Sequence, residues 1–329
     1  MLNSPKNTSE MATGEQIKAL IKSHFDNENE RFITLSLQIA ANKARSGQTT
    51  LADDIKKIID RSKSASPKLK ILSSEFQSLV LEVEPLERIN DLIVSSSLKD
   101  RIKKVLREYI QRDKLARHGL TNRRKILLTG PPGTGKTMTA SVIAKELNMP
   151  LYFVLMDKMV TKFMGETSAK LRQIFDTISE NQGVYLFDEF DAIGGERSKD
   201  NDVGEMRRVL NSFLQFIERD SSQSIIVAAT NNLNLLDQAL FRRFDDVMHY
   251  SLPTKEEVIE LLQNRLGSYK GSYKLESIAT LCQGLSHAEI TQACADAIKD
   301  AILDDKNKVE KAILEKTIKD RTLAYREHI

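Results

Sequence analysis

Eight consecutive residues, Gly130, Pro131, Pro132, Gly133, Thr134, Gly135, Lys136 and Thr137, have the types and spacing needed to hold a chain of phosphates. The glycines let successive backbone amides turn inward as an anion nest, and a helix starting just after them aims its positive dipole end at the same point. Lys136 can reach the β- and γ-phosphates of a nucleoside triphosphate, and the Thr137 hydroxyl can ligate Mg²⁺. The context fits: the apolar run Lys125 to Thr129 comes before, and the helix-like stretch Met138 to Leu147 comes after. A glycine-x4-glycine-lysine-threonine segment between strand and helix is the phosphate-binding P-loop.

A second group of reactive types ends another apolar run. Val184, Tyr185, Leu186 and Phe187 lead directly into Asp188 and Glu189. Two carboxylates at the C-terminal edge of a parallel sheet would lie beside the P-loop. Asp188 is then expected to hold Mg²⁺ through water, and Glu189 to orient and deprotonate an attacking water. A third run ends Ala228, Ala229, Thr230, Asn231, where a hydroxyl or amide could position that water. The bland alternative is a polar strand end entering a turn. Further on, Arg242 and Arg243 stand between Phe241 and Phe244. Two adjacent arginines framed by phenylalanines read either as solvated charge or as a pair with a task.

The elements that must position these groups follow from periodicity. Strand-length apolar runs occur at 126–128, 151–155, 184–187, 225–229 and 247–250, and helix-like segments separate most of them. Buried strands alternating with helices predict a parallel sheet covered on both faces. Residues 72–124 read as mostly helical, with a short extended piece at Leu79 to Val83. After Pro253 the chain is helical again, over 256–266, 275–282, 287–303 and 309–318. At the N-terminus, Ile17, Leu20, Ile21 and Phe25 share a helical face, as do Phe32, Leu35 and Ile39, and then Leu51, Ile55, Ile58 and Ile59. A small three-helix bundle is expected there, followed by a polar linker from Ser62 to Lys70.

With 49 basic and 46 acidic residues, the net charge of +3 gives no reason to expect a nucleic-acid or membrane surface. No apolar stretch approaches the roughly 18 residues of a membrane span, and the first residues lack a signal-peptide core. A cytoplasmic location is therefore expected. Cys282 and Cys294, the only cysteines, are expected to be buried free thiols rather than a disulfide or a zinc site.

Taken in order, GPPGTGKT at 130–137, LFDEFDAIG at 186–194 and the segment from AATN at 228–231 to FRRFDD at 241–246 resemble the AAA ATPase family in its narrow sense, the group of katanin, spastin and the membrane-anchored AAA proteases. The resemblance covers residues 85–329, about three quarters of the chain. It implies an α/β P-loop NTPase of the AAA+ kind, with a five-stranded parallel sheet between helices and a C-terminal helical lid. The corresponding division is an N-terminal recruiting bundle at 1–62, a linker at 63–84, the large α/β part at 85–252 and the lid at 253–329.

The same resemblance implies roles at matched positions. Asn231 resembles the sensor of the γ-phosphate, and Arg242 and Arg243 resemble arginine fingers that reach a neighbouring subunit's ATP. Asp91, Leu92 and Ile93 resemble the segment that contacts the base through apolar side chains and backbone. Gly284 to Glu289, with His287 and Ala288, resembles the part of the lid that closes over base and ribose. The family usually carries glycine where this chain has His287, which leaves that residue open between an ordinary lid histidine and a contact near the ribose or phosphates. Phe163, Met164 and Gly165 resemble the aromatic–aliphatic–glycine loop of the central pore, and the charged, glycine-containing stretch 196–205 would form a second pore loop.

The function implied is an ATP-hydrolysing, Mg²⁺-dependent homo-oligomeric motor, a hexameric ring that unfolds or remodels protein. The alternatives are an ATPase acting on nucleic-acid-bound complexes, such as a loader or transposition helper, and a disassembly ATPase for one protein complex. No HExxH metal motif follows the module, and the last residues, Tyr325 to Ile329, do not match the tail that docks on proteasome chambers. The chain also resembles compact bacterial AAA ATPases, some of which are encoded beside a subtilisin-like protease, and that resemblance implies a separate partner protease as a further expectation.

Overall fold

The computed structural model describes residues 18–20, 22–23, 29–45, 48–65, 79–159, 166–190, 202–232 and 241–326. The chain divides into two units, residues 1–71 and 72–329. In the first, α1 (Asn29–Arg45) and α2 (Thr49–Ala65) pack as a helical pair, with Ala40 and Ala52 buried. Residues 18–20 and 22–23 are also helical. Ile17, Ile21 and Phe25 of the expected first helix lie outside the described residues, as do residues 66–78 of the linker.

The second unit is built on a six-stranded sheet in the order β1-β3-β4-β5-β2-β6. Its strands are β1 (Val80–Val83), β2 (Lys125–Thr129), β3 (Leu151–Val154), β4 (Val184–Phe187), β5 (Ile225–Thr230) and β6 (Asp246–His249). The five strands from β2 to β6 are parallel to their neighbours, and β1 joins β3 antiparallel, with Val80 opposite Val154. The sequence expectation of five strands therefore gains a sixth, from residues assigned to a linker. Their burial shows why the signal was weak: Val80 is buried but Leu81 is 55% exposed, the half-covered pattern of an edge strand. In contrast, β4 and β5 are buried along their whole length.

Helices cover both faces. Along one face, α3 (Ser96–Ile110) and α5 (Lys136–Leu147) pack on Ile126, Leu128, Leu186 and Val227. Leu98, Ile102, Val105, Leu106 and Tyr109 form the buried stripe of α3, and the Ser95 hydroxyl caps it by accepting the Leu98 N–H at 3.3 Å. The short α4 (Arg112–Ala116) follows. On the other face, α7 (Glu166–Glu180) and α8 (Asp202–Arg219) bring Phe175 and Phe213 against Phe187, with α6 (Met156–Met159) at the edge.

The lid comprises α9 (Lys255–Leu266), α10 (Leu275–Leu281), α11 (His287–Leu303) and α12 (Lys311–Arg326) around its own core of Val258, Leu261, Ile278, Ile290, Leu314 and Ile318. Two capping boxes start its main helices, Thr254 with Glu257 and Ser286 with Glu289. Such caps are each worth about 0.5–2 kcal/mol. Cys282 and Cys294 are buried free thiols in this core, and burial pushes both up to about 12. Ile93, far upstream in sequence, also belongs to it, so the lid core is closed partly by the segment that leads into α3.

Candidate functional site: a nucleotide cleft between sheet and lid

The loop after β2 requires glycine at three places. Gly130, Gly133 and Gly135 have φ of 140°, 71° and 101°, in the region that L side chains rarely adopt. At Gly130 a Cβ would also fall 2.2 Å from the Tyr250 carbonyl oxygen, and at Gly133 it would fall 2.6 Å from Ser286 Oγ. The glycines thus permit a tight loop and a close approach of both Tyr250, just past β6, and the lid. Within the loop, Thr134 Oγ1 donates to the Pro131 carbonyl at 2.7 Å, and the buried Lys136 Nζ donates to the Gly130 and Pro131 carbonyls at 2.7 and 2.8 Å. Gly135 ends the loop as the N-cap of α5 and offers no side-chain cap, which leaves the first helical N–H groups directed at the cleft.

The acidic groups arrive from β4. Asp188 Oδ2 accepts the Thr137 hydroxyl at 2.6 Å, and its Oδ1 accepts the Glu189 backbone N–H at 2.9 Å. Glu189 has φ of 50°, a left-handed turn that costs a non-glycine residue roughly 1–2 kcal/mol. Its side chain is exposed on the cleft. Strand order supplies the rest: β5 runs between β4 and β2, so Asn231, just past its end, lies between the carboxylates and the phosphate loop.

A cleft of about 520 Å³ joins these groups, within the usual range for small-molecule sites. Asp91, Leu92, Ile93, Pro132, Gly133, Thr134, Gly135, Lys136, Thr137, Met138, Asp188, Glu189, Asn231, His287 and Ala288, all expected from sequence, line it. The Asp91 carboxylate accepts the Arg88 N–H at 2.8 Å and fixes the turn before Leu92. Glu146 of α5 accepts the Ile89 N–H at 3.0 Å, so this segment is tied to the P-loop helix. Leu261, Arg265 and Thr291 also line the cleft and were not expected. They project from lid helices whose only sequence signal is amphipathic spacing, and a tertiary fold is needed to place them opposite the P-loop.

One hydrogen bond fastens lid to loop, the Ala288 N–H donating to the Gly133 carbonyl at 3.0 Å, and Ser286 approaches so closely that a Cβ at Gly133 would fall 2.6 Å from its Oγ. Between them is His287. Both its ring nitrogens are buried and, among the described residues, have no hydrogen-bond partner; the same holds for Arg265 Nε. Burial lowers the His287 pKa, and the Glu257 carboxylate opposes that shift in part. With the folded value below the ordinary 6.5, stability is full above 6.5 and is lost as pH falls from there toward the folded value, where the unfolded chain binds the proton more readily. The melting temperature is thus expected to drop between pH 7 and 5.5, with a shallower drop in His287→Gln.

Arg242 and Arg243 are elsewhere. With Lys125 and Glu218 they line a separate hollow of about 370 Å³. Arg243 pairs with Glu218, while Arg242 is exposed. Their segment is anchored by the two aspartates that follow: Asp245 Oδ2 accepts the Arg124 and Lys125 N–H groups at 2.9 Å each, and Asp246 pairs with Arg101 and Arg123. Phe163, Met164 and Gly165 lie outside the described residues, as does most of the stretch 196–205.

The Thr137 hydroxyl and Asp188 carboxylate, side by side on the cleft, are hard oxygen donors of the kind Mg²⁺ takes alongside phosphate oxygens and water, so the residues present fit that ion. Among the described residues no group of three or more His, Cys, Asp or Glu forms an all-protein metal cage.

The family model for "ATPase family associated with various cellular activities (AAA)" matches residues 126–252. An uncharacterized AAA family ATPase of Sinorhizobium fredii is 30% identical over 317 residues, covering 94% of this chain and 96% of its own length. The chain is a member of the AAA ATPase family. Proteasome-activating nucleotidases are also similar to this AAA ATPase. That of Saccharolobus islandicus is 32% identical over 257 residues, 73% of this chain, and that of Methanoregula boonei is 31% identical over 256. The chain spans only 65% and 58% of those two proteins' own lengths. The mixed α/β fold, the P-loop and these relatives together make this AAA ATPase an ATP-hydrolysing enzyme. Among the described residues, no helix is long and apolar enough to cross a membrane.

Proposed function

We propose that this AAA ATPase is a homo-oligomeric ring motor, hexameric in form, that unfolds or remodels protein substrates. The observation that carries the reading is the separation of its chemistry: Thr137, Asp188 and Glu189 line the cleft, whereas Arg242 and Arg243 line a different hollow. Arginines that serve a phosphoryl-transfer site without lying on it in their own chain are suited to serve a neighbour's. Head-to-tail contacts of that kind can close into a ring.

Within one cleft, the loop amides and Lys136 receive the β- and γ-phosphates, and Lys136 exchanges its carbonyl partners for phosphate oxygens. Thr137 and Asp188 would hold Mg²⁺, which when bound neutralises charge on the phosphate oxygens. Glu189 takes a proton from the attacking water, and Asn231 orients that water or the γ-phosphate. Closure is transmitted through Gly133, where Ser286 and Ala288 of the lid touch the loop. A change of lid angle on hydrolysis would move the Phe163 loop, whose aromatic side chain can grip an extended peptide by apolar burial without reading its sequence.

The family similarity to proteasome-activating nucleotidases supports a protein substrate, and a separate protease, subtilisin-like in kind, is proposed as a partner for unfolded product. The N-terminal helical pair is proposed as the recruiting part. The test is stimulation of ATP hydrolysis by an unfolded protein, expected for wild type and expected to be lost in Phe163→Ala while basal hydrolysis persists. Stimulation by DNA instead would favour a loader acting on nucleic-acid-bound complexes, and threading of a tagged substrate by Phe163→Ala at the wild-type rate would remove the pore assignment.

A further inference from the structure

We propose that Lys125 is a third cation of the arginine hollow, contacting the phosphates of the ATP in a neighbouring subunit's cleft beside Arg242 and Arg243. The inference rests on the reading of those arginines as groups that serve a neighbour. Its starting point is the lining of the hollow of about 370 Å³, where Lys125, Arg242 and Arg243 stand against one carboxylate, Glu218. Glu218 pairs with Arg243, so the positive charge of the hollow is met only in part.

Lys125 is the surplus. It is half-buried, its Nζ is not sealed from solvent, and among the described residues its ammonium has no hydrogen bond or ion pair. Three carboxylates act on it through space, Asp220, Asp245 and Glu218, and each already bonds another group. Asp220 pairs with Arg124, Asp245 accepts the backbone N–H groups of Arg124 and Lys125, and Glu218 pairs with Arg243. Burial, and then the adjacent Arg124, lower the Lys125 pKa from its ordinary value. An ammonium in that setting gains from an anion that enters the hollow.

Its backbone is tied to the arginine segment. Lys125 opens β2, its carbonyl accepts the Asp245 N–H at 2.8 Å, and its own N–H donates to Asp245 Oδ2 at 2.9 Å. Asp245 follows Arg243 by two residues, so the three cations are presented together. A phosphoryl group in transfer spreads its charge over three equatorial oxygens, more than one guanidinium fork engages. Lysine adds a compact point charge with three donors.

The experiment measures ATP hydrolysis by the full chain carrying Lys125→Met, which keeps the stem and removes the charge, or Lys125→Arg, which keeps the charge. Lys125→Met is expected to lower kcat by about ten- to a hundredfold, the worth of one hydrogen bond between charged groups. KM for ATP and melting temperature stay close to wild type, and Lys125→Arg retains most of the rate. Co-assembled with Glu189→Gln, the Lys125→Met subunit regains rate at its own cleft, because its partner brings an intact hollow to it. The subunit with Arg242→Ala and Arg243→Ala is mixed with Glu189→Gln in parallel. If neither is rescued, the reading of the hollow as serving a neighbour fails, and this proposal with it. If the arginine variant is rescued and Lys125→Met is not, Lys125 acts within its own chain and only this proposal falls. A wild-type rate in Lys125→Met, or a loss in Lys125→Arg as deep as in Lys125→Met, also overturns it.

Discussion

Glu189→Gln is expected to bind ATP with close to wild-type affinity and to hydrolyse it roughly 10²–10⁴-fold more slowly, the range for removing a positioned general base. Glutamine has the same shape and keeps the left-handed turn at φ 50°. It leaves untouched the Asp188 bridge to the Thr137 hydroxyl and to its own backbone N–H. What it cannot do is accept a proton from water. The groups proposed to receive phosphate, Lys136 and the loop amides, come from the β2–α5 connection rather than from β4, so affinity and rate should separate. Phosphate release measured beside equilibrium ATP binding checks this. If affinity falls as far as rate, Glu189 holds the nucleotide and another group takes the proton.

Removing the arginine pair is expected to be equally severe and to leave the protein folded. Arg242→Ala with Arg243→Ala should lower the hydrolysis rate by about 10³-fold or more, the scale for an arginine finger. ATP affinity should change little, because neither side chain lines the cleft of its own chain. The fold should tolerate the change. The Arg243–Glu218 pair is 37% and 57% exposed on its two sides, and an exposed pair is worth about 0–1 kcal/mol. The segment is held mainly by Asp245 and Asp246, whose partners Arg101, Arg123, Arg124 and Lys125 are untouched. A melting temperature within a few degrees of wild type, together with the lost rate, is the expected signature.

These residues also show what a linear chain reveals. The P-loop and the Asp188–Glu189 pair are legible because each is a short run whose neighbours dictate strand, turn or helix, and the sheet then brings the ends of β2, β4 and β5 together. The expected five parallel strands are present for the same reason, since wholly buried strands such as β4 and β5 read as unbroken apolar runs. Strand β1 was missed as part of the sheet because an edge strand buries only one face, and four residues are too few for alternation to stand out. Arg265 and Thr291 were missed for a different reason. They lie more than a hundred residues after the P-loop, on helices that look like any amphipathic helix, and only the docking of Ser286 and Ala288 on Gly133 brings them to the cleft. His287 was legible as a departure from a family pattern, but its buried, unpaired nitrogens are visible only in the fold.

The central claim is that hydrolysis needs two subunits, one giving the cleft and the other its arginines. Co-assembly of two inactive variants tests it most directly. The Glu189→Gln subunit lacks a base but retains Arg242 and Arg243, and the doubly arginine-substituted subunit retains Glu189 but offers no arginines. The account predicts that each alone hydrolyses ATP hardly at all, and that mixed assemblies recover a substantial fraction of wild-type activity at clefts where Glu189 of one subunit meets the arginines of the other. Mixed assemblies as inactive as their parents, verified to contain both subunits, would contradict it.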